Sequence, residues 1–552
     1  MKKYITISAL LLCLCSCVGL EQYPTNSYTD DNFWNYEENV RATLNLGYNQ
    51  MWNADRYLDN NILSDDVYGS RHTSNIRDIA IGSANVNNDH FRSEWSQCYQ
   101  ELRTLHTGLD NLDRMQISDE FKTRFQAELR LMRAFTYLRL VTWFGDVPFF
   151  TTNPTLSQTK TVGRTSAATV KAFIHSELEA VIADLPKNTE IPAAENGRFT
   201  KGTAVALNAR AYLLDNDFAN CATWCAKLID SDEYGHYELA PDYAALFTDG
   251  HYGPESIMTI EFATNDGTAD IVRGWNTGRY VPNSICPSGS QEIVNYSPTQ
   301  ELVDAFLKTD GTVAADEDYD GRDLRFYSTI AYNGCTLEIP EAEKLGLVGS
   351  EGAGKGTYTC WTKASDEIKD SDASHHKDSY TGDDTRTATG YYMIKNFDAE
   401  TVGPNGSSFK SLMEIRFADV LLMYAESMQE TGQMTEAIWN KTIKPIRERA
   451  GFVAAYCAYP GGDLRQAIRN ERRCELALEG RRVFDLRRWA LLDNPSYAST
   501  GAAYLTSHAT GAPFLDDGSN IVCNSPYAMK YWFPIPQHER DINKNLTQNP
   551  GW

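Results

Sequence analysis

The chain has 552 residues and a formal net charge of −23, with 42% hydrophobic and 23% charged residues. This length and composition are sufficient for a large hydrophobic core in one or two domains. Nucleic acid is not an expected partner, because phosphate binding depends on clustered lysine and arginine, whereas acidic residues are in excess here.

The N-terminus has the pattern of an export signal. Two lysines precede an apolar run of about ten residues, which is too short for a transmembrane helix of roughly 20 residues. The run ends in Leu-Cys-Ser-Cys17, which resembles the lipobox of bacterial lipoproteins. We therefore predict a signal peptide over residues 1–16 and lipid attachment at Cys17, so that the membrane is contacted through this anchor alone.

Two polar segments outside any helical pattern contain aromatic residues. They are Asp65-Asp-Val-Tyr-Gly-Ser-Arg-His72 and Arg273-Gly-Trp-Asn-Thr-Gly-Arg-Tyr280. Aromatic rings stack on the apolar faces of sugars, while amides and charged groups bond the hydroxyls. We predict that both clusters contribute to a ligand site; for each ring the alternative is packing against its own loop. The candidates are Tyr68, Arg71, His72, Trp275, Asn276, Arg279 and Tyr280.

Apolar residues at helical spacing predict paired helices in the rest of the chain. The predicted helices cover 122–143, about 168–185, 201–214 and 217–230, and later 413–431 and 433–450, with Gly432 ending the first of the late pair. Helix hairpins of this length are typical of tetratricopeptide-like stacking. Irregular stretches lie between them, at 250–300 and 340–395, and loops of such length are usually functional or disordered.

One acidic turn has part of a calcium-binding motif. Asp316, Asp318 and Asp320 have the spacing that opens a calcium loop, but its twelfth position is Tyr327 instead of a chelating glutamate. A solvated acidic turn is therefore the preferred interpretation. No cofactor is predicted, and calcium is the one ion that this turn suggests.

Two further motifs suggest a nucleotide or a metal. Gly349 to Lys355 matches the start of a P-loop, but Gly356 stands where a serine or threonine would bind magnesium, and the next residues do not form a helical pattern. We predict a turn here. His375-His376 lies in a low-complexity loop, where a solvated loop is the preferred interpretation over metal binding.

A cluster of carboxylates raises the question of catalysis. Glu471, Glu475 and Glu479 are spaced four apart, which predicts one helix face. Paired carboxylates can perform general acid–base catalysis, but nearby cations lower their pKa values and keep them charged. We therefore predict a structural ion-pair network and no enzyme activity. The surrounding cations are Arg472, Arg473, Arg481, Arg482, Arg487 and Arg488.

Blocks along nearly the whole chain resemble the SusD/RagB family of outer-membrane nutrient-binding lipoproteins. A single block would be weak evidence, but six or more occur in family order. They include Arg130-Leu-Met-Arg-Ala-Phe135, Trp143-Phe-Gly-Asp-Val-Pro148, Gly197-Arg-Phe-Thr-Lys-Gly202, Arg416-Phe-Ala-Asp-Val-Leu-Leu-Met-Tyr-Ala-Glu426, Glu471-Arg-Arg-Cys-Glu-Leu-Ala-Leu-Glu-Gly480, Phe533-Pro-Ile-Pro536 and Thr547-Gln-Asn-Pro-Gly551.

The resemblance implies a mainly α, SusD-like fold over residues 17–552. Its expected parts are a tetratricopeptide-like helical scaffold at about 30–230 and 410–490, a loop-rich ligand-binding region at about 240–400, and a closing segment at 490–552. It also implies a lipoprotein on the outer face of the outer membrane, which captures a glycan and passes it to a SusC-like TonB-dependent transporter. Ligand contacts in the family tend to come from loops in the two regions with aromatic clusters.

Two alternatives stay open at this point. The same scaffold captures peptides or protein fragments in some relatives, which changes the ligand class but not the architecture. A glycan-cleaving enzyme on a helical scaffold is the other alternative, and the sequence offers no site for it.

Overall fold

The computed structural model describes residues 30–51, 54–69, 74–262, 296–339, 356–360, 362, 387–399, 410–489, 504–511, 522–530 and 532–552. Its helices are α1 Asp30–Phe33, α2 Glu37–Met51, α3 Ala54–Ile62, α4 Asn75–Ala80, α5 Asp89–Asp110, α6 Asp119–Phe144, α7 Leu156–Thr161, α8 Ala167–Val181, α9 Lys201–Leu214, α10 Phe218–Ile229, α11 Gln300–Ala305, α12 Leu324–Tyr327, α13 Phe417–Glu430, α14 Glu436–Lys441, α15 Ile443–Arg449, α16 Ala454–Cys457, α17 Arg465–Glu475, α18 Arg482–Arg488 and α19 Gln537–Ile542. Its strands are β1 Val67–Gly69, β2 Ser256–Ile260, β3 Tyr296–Pro298, β4 Ile330–Ala331, β5 Thr336–Glu338, β6 Thr357–Thr359, β7 Tyr392–Met393, β8 Leu412–Arg416, β9 Tyr504–Thr510 and β10 Val522–Lys530.

Helix α6 illustrates how the sequence forms a long buried helix. Ser118 caps its N-terminus by accepting a hydrogen bond from the backbone N–H of Phe121. Gly145 ends it at a φ of +70°, a left-handed conformation that glycine adopts at little cost. Most residues from Phe125 to Phe144 are buried. A helix that is apolar on most sides belongs in the centre of a helical stack.

The helices pack against one another in succession. Helix α2 contacts α5 and α6, α6 contacts α8, and α8 contacts α9. Helix α9 contacts α10, α10 contacts α13, and α13 contacts α17. This stack confirms the predicted mainly α fold, and α6, α8, α9 and α10 lie where the apolar spacing predicts helices. Among the described residues, no helix is both long and apolar enough to cross a bilayer.

The late helix pair differs from its prediction at two places. The start of the predicted helix 413–431 is strand β8, which is buried throughout and pairs antiparallel with β2. Periodicity does not distinguish a short buried strand from a buried helix. The predicted helix 433–450 is divided at Thr442 into α14 and α15. Pro445 lacks an N–H and is tolerated in the first turn of α15, but not in the interior of one long helix.

The described strands form antiparallel pairs that join distant parts of the chain: β1–β3, β2–β8, β4–β7, β5–β6 and β9–β10. Strand β2 ends at Ile260 and pairs there with Leu412 at the start of β8. The loop-rich region thus leaves the helical scaffold and rejoins it at a single two-stranded ladder.

A buried ion cluster joins this ladder to the helices. Arg416 of β8 donates to Glu475 Oε1 at 2.6 Å and to both oxygens of Glu479, at 2.9 and 3.0 Å. Glu475 also accepts hydrogen bonds from Arg325 at 2.8 Å and from Arg449. We call this group the central ion cluster; its members are Glu255, Arg325, Lys395, Arg416, Arg449, Glu471, Glu475 and Glu479.

The charge states of the cluster agree with a structural role. Burial alone would raise the pKa of Glu475, but the three surrounding guanidinium groups hold it far below its ordinary value. Glu479 is likewise buried, and Arg416 and Lys395 lower its pKa. The predicted ion-pair network is confirmed, with two corrections. The cations that pair with the three glutamates are Arg325, Lys395, Arg416, Arg447 and Arg449, not the arginines adjacent in sequence. Helix α17 ends at Glu475 and Leu478 has a φ of +62°, so Glu479 approaches Arg416 from the following turn and not from the helix face.

We predict that Glu475→Gln destabilises the protein strongly. The substitution leaves three buried guanidinium groups around a neutral amide, and removing one partner of a buried ion pair costs about 3–5 kcal/mol. Urea unfolding followed by circular dichroism measures the loss in free energy of unfolding. The matched control is Glu37→Gln, because Glu37 pairs with Arg41 on an exposed helix face, where such pairs contribute about 0.3–0.5 kcal/mol. Equal, small effects of the two substitutions would contradict the structural role of Glu475.

Candidate ligand-binding site

The described residues that flank the remaining candidates belong to one pair of strands. Strand β1, Val67–Gly69, lies within the first predicted cluster, and its end at Gly69 precedes Arg71 and His72; strand β3 begins at Tyr296, sixteen residues after the second cluster ends at Tyr280. The two strands are antiparallel, and Gly69 is the direct partner of Tyr296. Opposite residues of an antiparallel pair lie about 4.5–5.5 Å apart at Cα. The chain that follows Gly69 therefore begins beside the point at which the chain that precedes Tyr296 ends.

A third irregular stretch returns to the same place. Strand β7 contacts β3, and the residues before β7 bond to it through side chains. The hydroxyl of Thr389 donates to the Pro298 carbonyl at 2.6 Å, and the backbone N–H of Ala388 donates to Ser297 Oγ at 3.1 Å. We call β1, β3 and β7 the base. The contribution of β7 was not predicted, because a strand of two residues is too short to show a recognisable sequence pattern.

Buried aspartates fix the base to the helical scaffold. Arg482 of α18 donates to both carboxylate oxygens of Asp65, at 2.8 and 2.9 Å, and Arg473 of α17 donates to Asp66 at 2.7 Å. Burial alone would raise the pKa of Asp65, but Arg473 and Arg482 lower it far below its ordinary value. The backbone N–H of Thr299 donates to the Asp66 carbonyl at 3.0 Å. Such bidentate pairs fix orientation as well as position, so the base is held rigidly.

Tyr68 has a different role from the one predicted. Its side chain is in the core with 6% of the residue exposed, and its hydroxyl accepts a hydrogen bond from Arg77 Nη2 at 2.9 Å. A ring buried in this way supports the base and does not offer a face to a ligand. The prediction for Tyr68 was based on its polar neighbours in sequence. Two of these neighbours, Asp65 and Asp66, are buried ion-pair partners and not solvent-exposed loop residues.

The other six candidates, Arg71, His72, Trp275, Asn276, Arg279 and Tyr280, lie outside the described residues, as does Cys17. The residues of β1 and β3 nearest to them on the chain are Gly69, before Arg71, and Tyr296, after Tyr280. Tyr296 is itself buried, and its hydroxyl donates to Asp59 of α3 at 2.9 Å. Both loops thus continue from residues that are fixed to the core.

The β9–β10 hairpin adjoins the same region. Strand β10 contacts α4, the helix that follows the first loop, and β9 contacts α11, the helix that follows β3. The sequence analysis placed these residues in a closing segment without assigning them strands. The hairpin lies beside the elements that flank both loops.

One aspartate of the acidic turn is paired within the protein. Asp318 pairs with Lys308 at 2.5 Å and accepts a hydrogen bond from the backbone N–H of Asp320. Within the described parts of the chain, no group of three or more His, Cys, Asp and Glu side chains is placed to hold a metal ion. A lysine thus already neutralises one of the three carboxylates that a cation would need.

Of the P-loop-like segment, only its end is described. Residues Thr357–Thr359 form β6, which pairs with β5. In a P-loop, the glycines are followed by the N-terminus of a helix. Here they are followed by strand β6, which agrees with the predicted absence of a helix. His375 and His376 lie outside the described residues.

We predict that Tyr68→Phe lowers stability and leaves ligand binding unchanged. The substitution removes the hydroxyl that accepts the Arg77 hydrogen bond, and an unsatisfied buried polar group costs about 1–3 kcal/mol. Thermal unfolding and calorimetric titration with the ligand measure the two effects. Tyr252→Phe is the matched control, because the Tyr252 hydroxyl is likewise hydrogen-bonded to a charged side chain, donating to the Glu261 carboxylate, but Tyr252 is exposed. A stable Tyr68→Phe variant with weakened binding would restore Tyr68 as a ligand contact.

Comparison with known proteins agrees with this architecture. A family model described as the SusD family matches residues 254–552, and one described as starch-binding and associating with the outer membrane matches residues 19–213. SusD-like protein P25 of Formosa agariphila is 25% identical over 99% of this chain and 98% of its own length.

Solved structures have the same fold. A SusD-like carbohydrate binding protein from Bacteroides fragilis superposes with a TM-score of 0.75 at 25% identity, over 94% of this chain and 100% of that chain. A laminarin binding SusD-like protein has a TM-score of 0.65 at 22% identity and also covers 94% of this chain and 100% of its own. With one family model matching more than half of its length, from the β2–β8 ladder to the C-terminus, the chain belongs to the SusD family.

Proposed function

We propose that this protein is a cell-surface lipoprotein that captures oligosaccharides or polysaccharides and delivers them to a TonB-dependent outer-membrane transporter. One observation carries the proposal: Gly69 and Tyr296, the described residues between which both remaining candidate segments lie in the chain, are paired on one base. Aromatic rings and polar groups are the residue types suited to the faces and hydroxyls of sugars, and both candidate segments contain them.

The relatives support the ligand class. One neighbouring structure is described as a carbohydrate binding protein and another as laminarin binding, and one matching family model is described as starch-binding. That this chain also binds a carbohydrate is part of the proposal. Capture of peptides on the same scaffold is the alternative, since peptides also use aromatic and amide contacts.

Binding without cleavage is the proposed mode of action. Arginine and lysine partners lower the pKa values of Glu475 and Glu479, whereas a general acid needs a raised pKa. Within the described residues, Glu101 has a pKa raised by burial to about 7, but it is fully buried and lies in the helical half of the molecule. It therefore has no access to a ligand on the base.

We predict that Trp275→Ala weakens glycan binding by about 2 kcal/mol or more, which is about thirtyfold in affinity, as for an interface hot spot. A stacking ring lost from a loop leaves the core intact, so the melting temperature should barely change. Tyr280→Ala should share the phenotype. Isothermal calorimetry with an oligosaccharide selected on a glycan array measures the affinity.

Trp532→Ala is the control for removal of an indole, because Trp532 is 41% exposed in the C-terminal segment, outside the base. Normal binding with early melting would make Trp275 a core residue. An array that retains no glycan, together with binding of a peptide library, would replace the glycan proposal by peptide capture.

We predict that Cys17→Ala releases the protein from membranes. Each buried methylene of an acyl chain contributes about 0.8 kcal/mol, and without the chains no other anchor is proposed. Fractionation with immunoblotting and metabolic labelling with palmitate detects the loss of the lipid. Cys13→Ala, within the apolar run ahead of the lipobox, should remain in the membrane fraction. Recovery of Cys17→Ala in the pellet at wild-type level would contradict the anchor.

A further inference from the structure

A second cavity lies in the helical half, apart from the base. It has a volume of about 700 Å³ and is formed between α5, the segment from Pro148 to α7, and the C-terminal residues around α19. Ligand cavities typically have about 300–1,000 Å³. None of the residues that line it belongs to β1, β3 or β7.

The walls of the cavity are fixed by hydrogen bonds. The Tyr99 hydroxyl of α5 donates to the Pro148 carbonyl at 2.7 Å, and the Asn153 side-chain amide donates to Thr107 Oγ1 at 2.9 Å. On the other side, Asn543 donates to the carbonyls of Thr159 and Val162, at 3.2 and 2.8 Å. The cavity is therefore preformed and does not depend on a movable loop.

A buried imidazole lines this cavity without using all of its hydrogen-bonding capacity. His106 is 2% exposed, and its Nε2 has no hydrogen-bond partner among the described residues. Burial lowers the pKa of His106 to about 4, with Arg133 acting in the same direction, so the ring is neutral at pH 7. An unsatisfied buried nitrogen is unfavourable, and a ligand hydroxyl serves as either donor or acceptor.

The remaining lining combines rings with one charge of each sign. Tyr99 and Phe150 are partly exposed aromatic residues. Arg103 and Glu539 also line the cavity, and within the described chain neither has an ion-pair partner. Opposite charges with no net excess favour a neutral ligand that both donates and accepts hydrogen bonds, while the rings favour one with apolar C–H faces.

We propose that this cavity is a second binding site, which takes a neutral sugar of one or two residues on the surface of α5. The site runs along the helix from Trp95 to His106, eleven residues with a rise of 1.5 Å each, which is about 16 Å. Hydroxyls bond His106, Arg103 and Glu539, and the rings of Tyr99 and Phe150 contact the sugar faces. The ligand class follows from this lining, so the site does not rest on the function proposed for the base.

The test uses the full-length protein with Trp275→Ala, so that the base contributes as little binding as possible. Saturation-transfer NMR with glucose, maltose, cellobiose and laminaribiose at pH 7 reports binding to the cavity. We expect at least one of these sugars to bind, and the signal to fall at least tenfold when Asn153→Trp or Leu156→Trp fills the cavity. Arg103→Ala, a change on the exposed rim, should weaken binding without changing the melting temperature.

Lys160→Trp is the matched control, because Lys160 lies on the same short helix as Leu156 but does not line the cavity. It should bind as the parent does. The proposal is overturned when none of the four sugars gives a signal, or when the filling variants bind as Lys160→Trp does. Binding of trialanine in place of the sugars overturns the ligand class. The filling variants and Lys160→Trp share the same Trp275→Ala parent, so a difference between them reports the cavity and not the base.

Discussion

Arg416 is ionised and buried, so it needs carboxylate partners in the interior. The packing of the elements around it depends on supplying those partners. Arg416 is 1% exposed and pairs with Glu255, Glu475 and Glu479. A buried ion without partners costs several kcal/mol in lost hydration, so the elements that carry the carboxylates have to dock before β8 can be buried. The chain before β2, helix α17 and the turn after it are thereby fixed around one strand. The loop-rich region ends at this strand, β8, which pairs with β2 at the start of the region.

Helix α17 transmits this arrangement to the candidate site. Glu475 points into the central ion cluster, whereas Arg473, two residues earlier, reaches Asp66 beneath the base. Two residues on an α-helix are separated by about 200°, so opposite faces of one helix serve the two ion-pair groups. Arg482 continues the connection from α18 to Asp65. The base is therefore as rigid as the helical scaffold to which it is attached.

The sequence predicts some of these features and not others, for physical reasons. Four helices follow from apolar spacing, and the ionised state of Glu475 follows from the arginines beside it in sequence. Its actual partners Arg325, Arg416 and Arg449 come from three other segments, and local patterns contain no information on such distant pairs. The prediction of Tyr68 as a ligand contact has the same limit. The hydrogen bond from Arg77 and the pairing of β1 with β3 are tertiary contacts, which the local pattern does not contain. Polar residues around an aromatic ring indicate either a surface or a buried ion-pair network, and only tertiary contacts distinguish the two.

The ion pairs also limit how a ligand is recognised. Glu475, Glu479 and Asp65 are each held by arginine or lysine, so these charges are committed to the fold. On the proposed function, recognition comes from side chains other than these, and the remaining candidates lie beyond Gly69 and before Tyr296 in the sequence. The cavity on α5 differs, because its shape is set by packed helices. A ligand there meets fixed geometry, because hydrogen bonds hold the walls of the cavity in place.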